Sequence, residues 1–296
     1  MSSMTVAILM PGDMGHGVGR ALNGHGVRVI SSLAGRSAHT CGLAEAAGIE
    51  DAGSLEAIAD TADLILSILP PASALAQAEQ VSAATQRTGK FPVYADCNAV
   101  SPQTVQAVGQ VIEAAGATFV DAGIIGLAPG KPGGTRFYVS GRDVSAMTAL
   151  DGMGFSVIAI GDEPGRASAL KMAYAGLTKG TWTLHTAVLL AASQLGVLPE
   201  LILEFETSQQ GALEAMRNRV PKLPADAGRW IGEMEEIAAT FDAAGVTPDF
   251  HNGAAEVFRV LSRTPFAEET RETMDTSRTL EQSLAVYRES LKDAQQ

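Results

Sequence analysis

The feature that most constrains the fold is a rhythm that stops partway along the chain. Up to Gly165, short apolar runs alternate with Ala-rich stretches of helical pattern; beyond it, strand-like runs no longer occur. Strands are predicted at Val6–Met10, Val27–Ser31, Leu64–Leu69, Val93–Ala95, Thr118–Val120, Phe137–Ser140 and Val157–Ile160. Helical segments such as Ser73–Thr85 and Thr104–Ala115 lie between them. Alternation of this kind packs best as a parallel sheet covered by helices on both faces. Strands buried on both faces should be continuously apolar, and VAILM and LILSIL are.

From Ala167 to about Leu195 one helical pattern runs without a proline. Pro199 follows, and the remainder reads as helices joined by turns such as VPKLPADAG and GVTPDF. The expected class is α/β, with an N-terminal Rossmann-type doubly wound sheet, a long connecting helix and an all-α C-terminal domain. The expected boundaries are 1–165 for the nucleotide domain, 166–196 for the connecting helix and 197–296 for a substrate and dimerisation domain.

Composition narrows the class of partner. The 296 residues are 46% hydrophobic and 18% charged, enough apolar material for a sizeable core. The formal net charge of −12 repels a phosphate backbone or an anionic membrane, so neither nucleic acid nor membrane is an expected partner. A small anionic ligand needs only one local basic pocket. Cys41 and Cys97 have no metal-ligand or disulfide spacing, and no metal is expected. The N-terminus MSSMTVAILM lacks a basic segment followed by a long apolar one, and the apolar stretch Trp182–Leu195 is interrupted by His185, Ser193 and Gln194. A soluble, cytoplasmic protein is expected.

The first strand runs into ILMPGDMGHGVGRAL, a glycine-bearing turn opening a helix. A pyrophosphate needs backbone N–H groups it can approach closely at the positive end of a helix. Gly12 stands at the position of close approach, and Gly15 where helix and strand must pack. Met10 and Pro11 replace the first glycine of the usual G-x-G-x-x-G, so the turn alone is equally compatible with a strand–turn–helix that binds nothing. Gly12, Asp13, Met14 and Gly15 are the candidate phosphate-binding residues.

The second strand adds an independent signal. A site for NAD usually places an acid about 20 residues past the turn, on the ribose 2′-hydroxyl. VRVISSLAGRSAHT contains no acid; it offers Ser31, Ser32, Arg36 and Ser37. Ser32, Arg36 and Ser37 suit a 2′-phosphate, where a guanidinium binds with charge assistance, so NADP is favoured over NAD. The bland reading of Arg36 is a solvated loop residue.

Four further segments follow in a characteristic order: LILSILPPAS, YADCNAVSP, VDAGIIGLAPGKPGGT and GRASALKMAYAGLTKGTW. With the turn, they resemble the β-hydroxyacid dehydrogenase superfamily, which includes 3-hydroxyisobutyrate and 6-phosphogluconate dehydrogenases and whose fold imine reductases share. The resemblance implies that Leu69 and Pro70 border the cofactor and that Asn98 reaches the nicotinamide ribose. In VDAGIIGL, matched to the substrate-binding D-A-P-V-S-G-G, Ile125 stands where the family has serine, Gly126 is kept, and Leu127 replaces the next glycine. In KMAYAGLTKG, Lys171 matches the catalytic lysine, while Tyr174, Ala175 and Thr178 replace a His, an Asn and a Glu.

A lysine whose pKa is lowered by partial burial and a nearby cation can move a proton, the role the resemblance implies for Lys171; on residue type alone it reads as a surface lysine on a solvated face. Helical spacing places it on one stripe with Thr178 and His185, with Ala175 and Trp182 beside it. Lys179 is turned about 80° away and is expected at a rim or in a salt bridge. His185 is expected to be a packing residue. Ile125, Gly126, Tyr174, Ala175, Thr178 and Trp230 are the candidate substrate residues, and Trp230 reads equally well as core or dimer interface.

The expected function is an NADP-dependent oxidoreductase, passing a hydride between nicotinamide and a small hydroxy-acid or carbonyl substrate, with Lys171 handling the proton. Two alternatives are an imine reductase on the same fold and a non-catalytic NADP-binding sensor. A homodimer is expected.

Overall fold

The computed structural model describes residues 4–293. The first part of the chain runs β1 (Thr5–Ile8), α1 (Asp13–Gly24), β2 (Arg28–Ser31), α2 (Ala38–Ala46), β3 (Glu50–Asp51), α3 (Leu55–Thr61), β4 (Leu64–Ser67), α4 (Ala74–Thr88) and β5 (Val93–Asp96). It continues with α5 (Pro102–Ala114), β6 (Phe119–Gly126), β7 (Thr135–Ser140), the single turn α6 (Ser145–Thr148), β8 (Ser156–Ala159) and the long helix α7 (Arg166–Leu195). The eight strands form one sheet in the order β3-β2-β1-β4-β5-β6-β7-β8. All neighbouring pairs are parallel except β6 with β7. This is the doubly wound arrangement expected from the alternation, with the order reversing between β1 and β4.

The register follows from burial. Val6, Ile8, Val29, Leu64 and Leu66 point to one side of the sheet, and Ala7, Ile30, Ile65 and Tyr94 to the other, each into its own apolar layer. Local chemistry sets the helix boundaries. Ser101 caps α5 by accepting from the Thr104 N–H, with Pro102 at the first helical position, where no N–H is needed. Gly89 closes α4 in the left-handed conformation at φ 68°.

Two elements depart from expectation. β3 was not predicted, because Glu50 and Asp51 are exposed and polar and leave no apolar trace. β6 extends six residues past Val120, to Gly126, through the segment DAGIIG. Asp121 and the glycines hide that strand from a hydrophobicity pattern. Pairing with β5 on one side and β7 on the other makes it central, and Asp121 is held by side-chain and backbone partners described below.

The chain divides into two compact units, one up to Met172 and one from Ala173 onward, so the division falls within α7. Among the described residues the second unit holds helices and no strand: the remainder of α7, then α8 (Leu198–Ser208), α9 (Gln210–Arg219), α10 (Pro224–Ala243), α11 (Asp249–Leu261) and α12 (Leu280–Asp293). Trp230 lies at its centre, with Trp182 and Phe258 against its ring at 5.4 and 5.3 Å between centroids. Among the described residues, no helix is long and apolar enough to cross a membrane.

Candidate active site

The glycine turn sits at the carboxyl end of β1, where α1 begins. Gly12 is the N-cap of α1, and a Cβ on it would meet nothing within 4 Å. The space above the first N–H groups of the helix is therefore open, as a phosphate cradle requires. Gly15 is different: a Cβ there would collide with the Met10 carbonyl and press on Ile8, so it is the helix–strand packing glycine. His16, which gave no functional signal in the sequence, donates its Nδ1–H to the Gly12 carbonyl at 2.9 Å and braces the turn. These residues fit a dinucleotide pyrophosphate without the first glycine of the motif.

At the end of β2 the predicted basic side chain turns back toward this loop. Arg36 donates from Nη2 to the Leu9 carbonyl at 3.2 Å, and its Nε is buried without a partner. Ser32 donates to the Gly53 carbonyl at 3.3 Å, and Ser37 caps α2 by accepting from the Thr40 N–H. An acid does arrive here, from the unpredicted strand: β3 pairs Asp51 with Ser31. Its carboxylate accepts the N–H groups of Gly53 and Leu33, and those hydrogen bonds hold its pKa below the usual carboxylate range. Asp51 is thereby committed to the loop's own backbone.

Asn98 connects two strand ends. Its Oδ1 accepts the Leu69 N–H at 2.5 Å, while Nδ2 donates to Ser67 at 3.1 Å and to Asp96 at 2.9 Å. Both donor hydrogens are engaged inside the protein, so Asn98 acts on the Leu69–Pro70 loop by fixing its first N–H. Asp96 and Ser67, absent from the sequence-predicted set, complete this clamp.

Lys171 is half-buried on α7, facing β6. A Cβ on Gly123 would lie 2.9 Å from Lys171 Cβ and 2.7 Å from the Ala167 carbonyl oxygen, so helix and strand meet at a spacing only glycine permits. Gly123 and Ile125 share one face of β6. Ile125 is buried; Gly126 has φ 112°, and a Cβ there would strike the Gly134 carbonyl. Burial raises the pKa of Asp121, on the same strand, against hydrogen bonds from Ser168, Gly165 and Ser140 that lower it. Leu127 is exposed at the start of the β6–β7 loop, and Ala128 and Pro129 of that loop pack against Gly17 of α1.

Further along α7, in the helical unit, Tyr174 is 46% exposed, Ala175 is buried, and Thr178 donates to the Ala175 carbonyl at 3.3 Å. Trp230 is in the unit's interior, its ring occupied by Trp182 and Phe258. Of its two expected places Lys179 takes the salt bridge, buried in an ion pair with Glu233 at 2.6 Å. Arg219, unremarked in the sequence, lies over the Trp182 ring at 3.9 Å.

Comparisons with known proteins agree with this fold. Residues 5–161 match the model for the NAD binding domain of 6-phosphogluconate dehydrogenase, more than half of the chain. Residues 192–261 match a domain of unknown function, DUF1932. An "uncharacterized 28.5 kDa protein in 7S RNA 5'region" from Methanothermus fervidus is 30% identical over 198 residues, 66% of this chain and 74% of that protein. The solved structure of MTH1747, described as similar to 3-hydroxyacid dehydrogenases, shares 28% identity at a TM-score of 0.64, covering 87% of this chain and 96% of that one. Mycobacterium tuberculosis 3-hydroxyisobutyrate dehydrogenase, solved with L-serine, shares the fold at 19% identity and a TM-score of 0.66, over 94% of this chain and 98% of that one. The chain belongs to the family of the 6-phosphogluconate dehydrogenase NAD binding domain, joined to a helical DUF1932 domain. That membership supports an NAD(P)-dependent oxidoreductase.

Proposed function

We propose that this protein is an NADP-preferring oxidoreductase acting on a small hydroxy-acid or carbonyl substrate, with Lys171 as the proton donor or acceptor. The observation that carries the reading is the seat of Lys171. It is packed on Gly123 of β6, on the strand face that leads to Ile125, in the unit that holds the nucleotide-type turn.

When bound, the nicotinamide supplies or receives the hydride. The open space over Gly12, together with Asp13, Met14 and Gly15 at the start of α1, would hold the pyrophosphate. Arg36, with Ser32, would take the 2′-phosphate. Arg36 is already hydrogen-bonded at the end of β1 beside the turn, and its buried, unpartnered Nε is a donor suited to an anion. Ser37 contributes less, since its hydroxyl caps α2. Asn98 and Asp96 hold Leu69 and Pro70 at the cofactor's edge. At the substrate, Lys171 gives a proton to the forming alkoxide or removes one from the alcohol. Ile125 and the backbone at Gly126 favour a substrate less polar than a sugar acid. Trp230 supports the helical unit from within. Lys171 also favours C–O over C=N chemistry, since reduction of an imine already protonated needs no such lysine.

A homodimer is part of this reading. Leu177, Leu184 and Leu195 are 72%, 62% and 77% exposed on α7, and α8 has no buried residue although its sequence is LPELILEFETS. Such an apolar face is suited to a second copy of the chain. A cytoplasmic location is part of the same reading.

The test is fluorescence titration with NADPH and NADH, followed by turnover over hydroxy acids, aldehydes and imines. NADPH should bind more tightly, and Arg36→Ala should weaken NADPH by about tenfold or more while leaving NADH little changed. Equal affinity for both cofactors would refute the NADP preference. A monomer by light scattering would refute the dimer.

A further inference from the structure

The first turn of α7 starts inside the protein, where its N–H groups would otherwise lack acceptors. One carboxylate meets them. Asp121 Oδ2 accepts from the backbone N–H of Gly165 at 2.7 Å, Ala167 at 3.0 Å and Ser168 at 3.1 Å, and from the Ser140 hydroxyl at 3.0 Å. Its Oδ1 accepts from the Ser168 hydroxyl at 2.7 Å. Ser140 Oγ also accepts from the Ala167 N–H at 3.1 Å. Asp121 is fully buried, and each of these partners is a donor. The arrangement suits a carboxylate anion at the positive end of a helix.

Asp121 and Gly123 share one face of β6. On α7, Ala167 and Lys171 are one turn apart on the face that meets it. Asp121 holds the N–H of Ala167, and Gly123 leaves room for the Ala167 carbonyl and Lys171 Cβ. The same short piece of strand thus sets both the height and the distance of the helix at the lysine.

We infer that Asp121 is a positioning residue for Lys171, clamping the start of α7 to β6 so that the lysine amine is held at one place relative to Ile125 and Gly126. Gly123 is its partner in this, as the point of closest approach. The inference rests on Lys171 being the proton-transfer group, and the variants below separate the two ideas. Ser168 and Ser140 tune the clamp by fixing the rotamer of the carboxylate.

The experiment compares Asp121→Asn, Gly123→Ala and Ser168→Ala in the full chain, each with Lys171 present and in a Lys171→Ala background. The readouts are kcat and KM on the best substrate from the screen, NADPH affinity by fluorescence, and amide hydrogen exchange over residues 165–171. Asp121→Asn puts a donor among donors. It should accelerate exchange at Ala167 and Ser168 and lower kcat by about 10- to 100-fold, with NADPH affinity and KM nearly unchanged. Gly123→Ala should act in the same direction, and Ser168→Ala should do so more weakly. In the Lys171→Ala background the Asp121→Asn change should cause no further loss, because the group it positions has gone.

If Lys171→Ala keeps the wild-type kcat, the proton-transfer reading falls and the clamp's role in it falls too. If Lys171→Ala is slow but Asp121→Asn lowers its residual rate by the same factor as in the wild type, the positioning role alone is overturned. A folded Asp121→Asn protein with unchanged kcat overturns it as well. Should Asp121→Asn fail to fold, Gly123→Ala and Ser168→Ala decide the matter. Wild-type kcat in both overturns the inference, and a kcat loss that vanishes in the Lys171→Ala background supports it.

Discussion

Lys171 and Lys179 lie about two turns apart on the same helix, in similar apolar sequence, and the fold treats them differently. Lys179 is buried and held to Glu233 at 2.6 Å, with the Trp230 ring 5.6 Å from its nitrogen. Glu233 is also within 3.4 Å of Arg229, which pairs with Asp226. Lys171 sits over a glycine on a strand whose next inward residues border a candidate substrate site. The ion pair commits the Lys179 amine to the Glu233 carboxylate inside the helical unit. A proton-transfer lysine must be able to release its proton. The difference between the two comes from what the neighbouring element presents, a glutamate from α10 or a glycine from β6.

The sharpest way to break this contrast is at Lys171. Lys171→Ala should lower kcat by about 10² to 10⁴, the usual contribution of a positioned acid–base group, while thermal unfolding and NADPH affinity stay close to wild type. Single-turnover hydride transfer and a melting curve measure the two effects. A large stability loss without a rate effect would make Lys171 a structural residue like Lys179.

The complementary change is Lys179→Met. It should cost about 3–5 kcal/mol of stability, since Glu233 would be left buried with its main partner removed. Adding Glu233→Leu should restore much of that loss. Both tryptophans, Trp182 and Trp230, lie in the helical unit, so denaturant unfolding followed by tryptophan fluorescence reads this unit directly. Failure of the second substitution to rescue would mean that Lys179 stabilises through packing on Trp230 rather than through its charge.

The smallest expected effect is a pH dependence confined to the helical unit. Burial lowers the pKa of His251, whose ring packs tilted at 55° against Phe241 with centroids 4.2 Å apart, and burial likewise lowers that of His185. Their Nδ1 atoms are buried without partners. In the unfolded chain each titrates near 6.5, above its folded value, so the unfolded state takes up protons first as pH falls. The tryptophan-detected unfolding midpoint should be flat above the unfolded histidine range and decline as pH drops through it. His251→Phe should flatten part of that decline. An unchanged slope would mean that other groups govern it.

Much of the fold was legible because its signals are local. VAILM and LILSIL announce buried strands by their continuity, and the loss of strand pattern after Gly165 marks the all-helical part. The missed elements are those whose stability comes from elsewhere. β3 exists because Ile30 and Ser31 offer it a ladder, and the far half of β6 because β7 pairs with it. The site shows the same division. Gly12, Gly15 and Arg36 stand out as residue types at particular spacings and Lys171 through the resemblance of its segment, whereas Asp96, Ser67, Asp121, Ser140 and Ser168 do not. Their importance lies in hydrogen bonds between positions as much as 47 residues apart.

By itself, then, the sequence determined the doubly wound unit, the helical unit and the residue types suited to a dinucleotide. Those depend on periodicity, backbone preference and side-chain chemistry, which are properties of short segments. Only the tertiary structure decided that Asp51 serves a loop, that Asn98 clamps Leu69, that Lys179 is locked to Glu233, and that α7 is anchored on Asp121 with Lys171 over Gly123. Each of these is a pairing between distant segments, and whether a polar group meets a donor, an acceptor or open space is settled only when those segments pack.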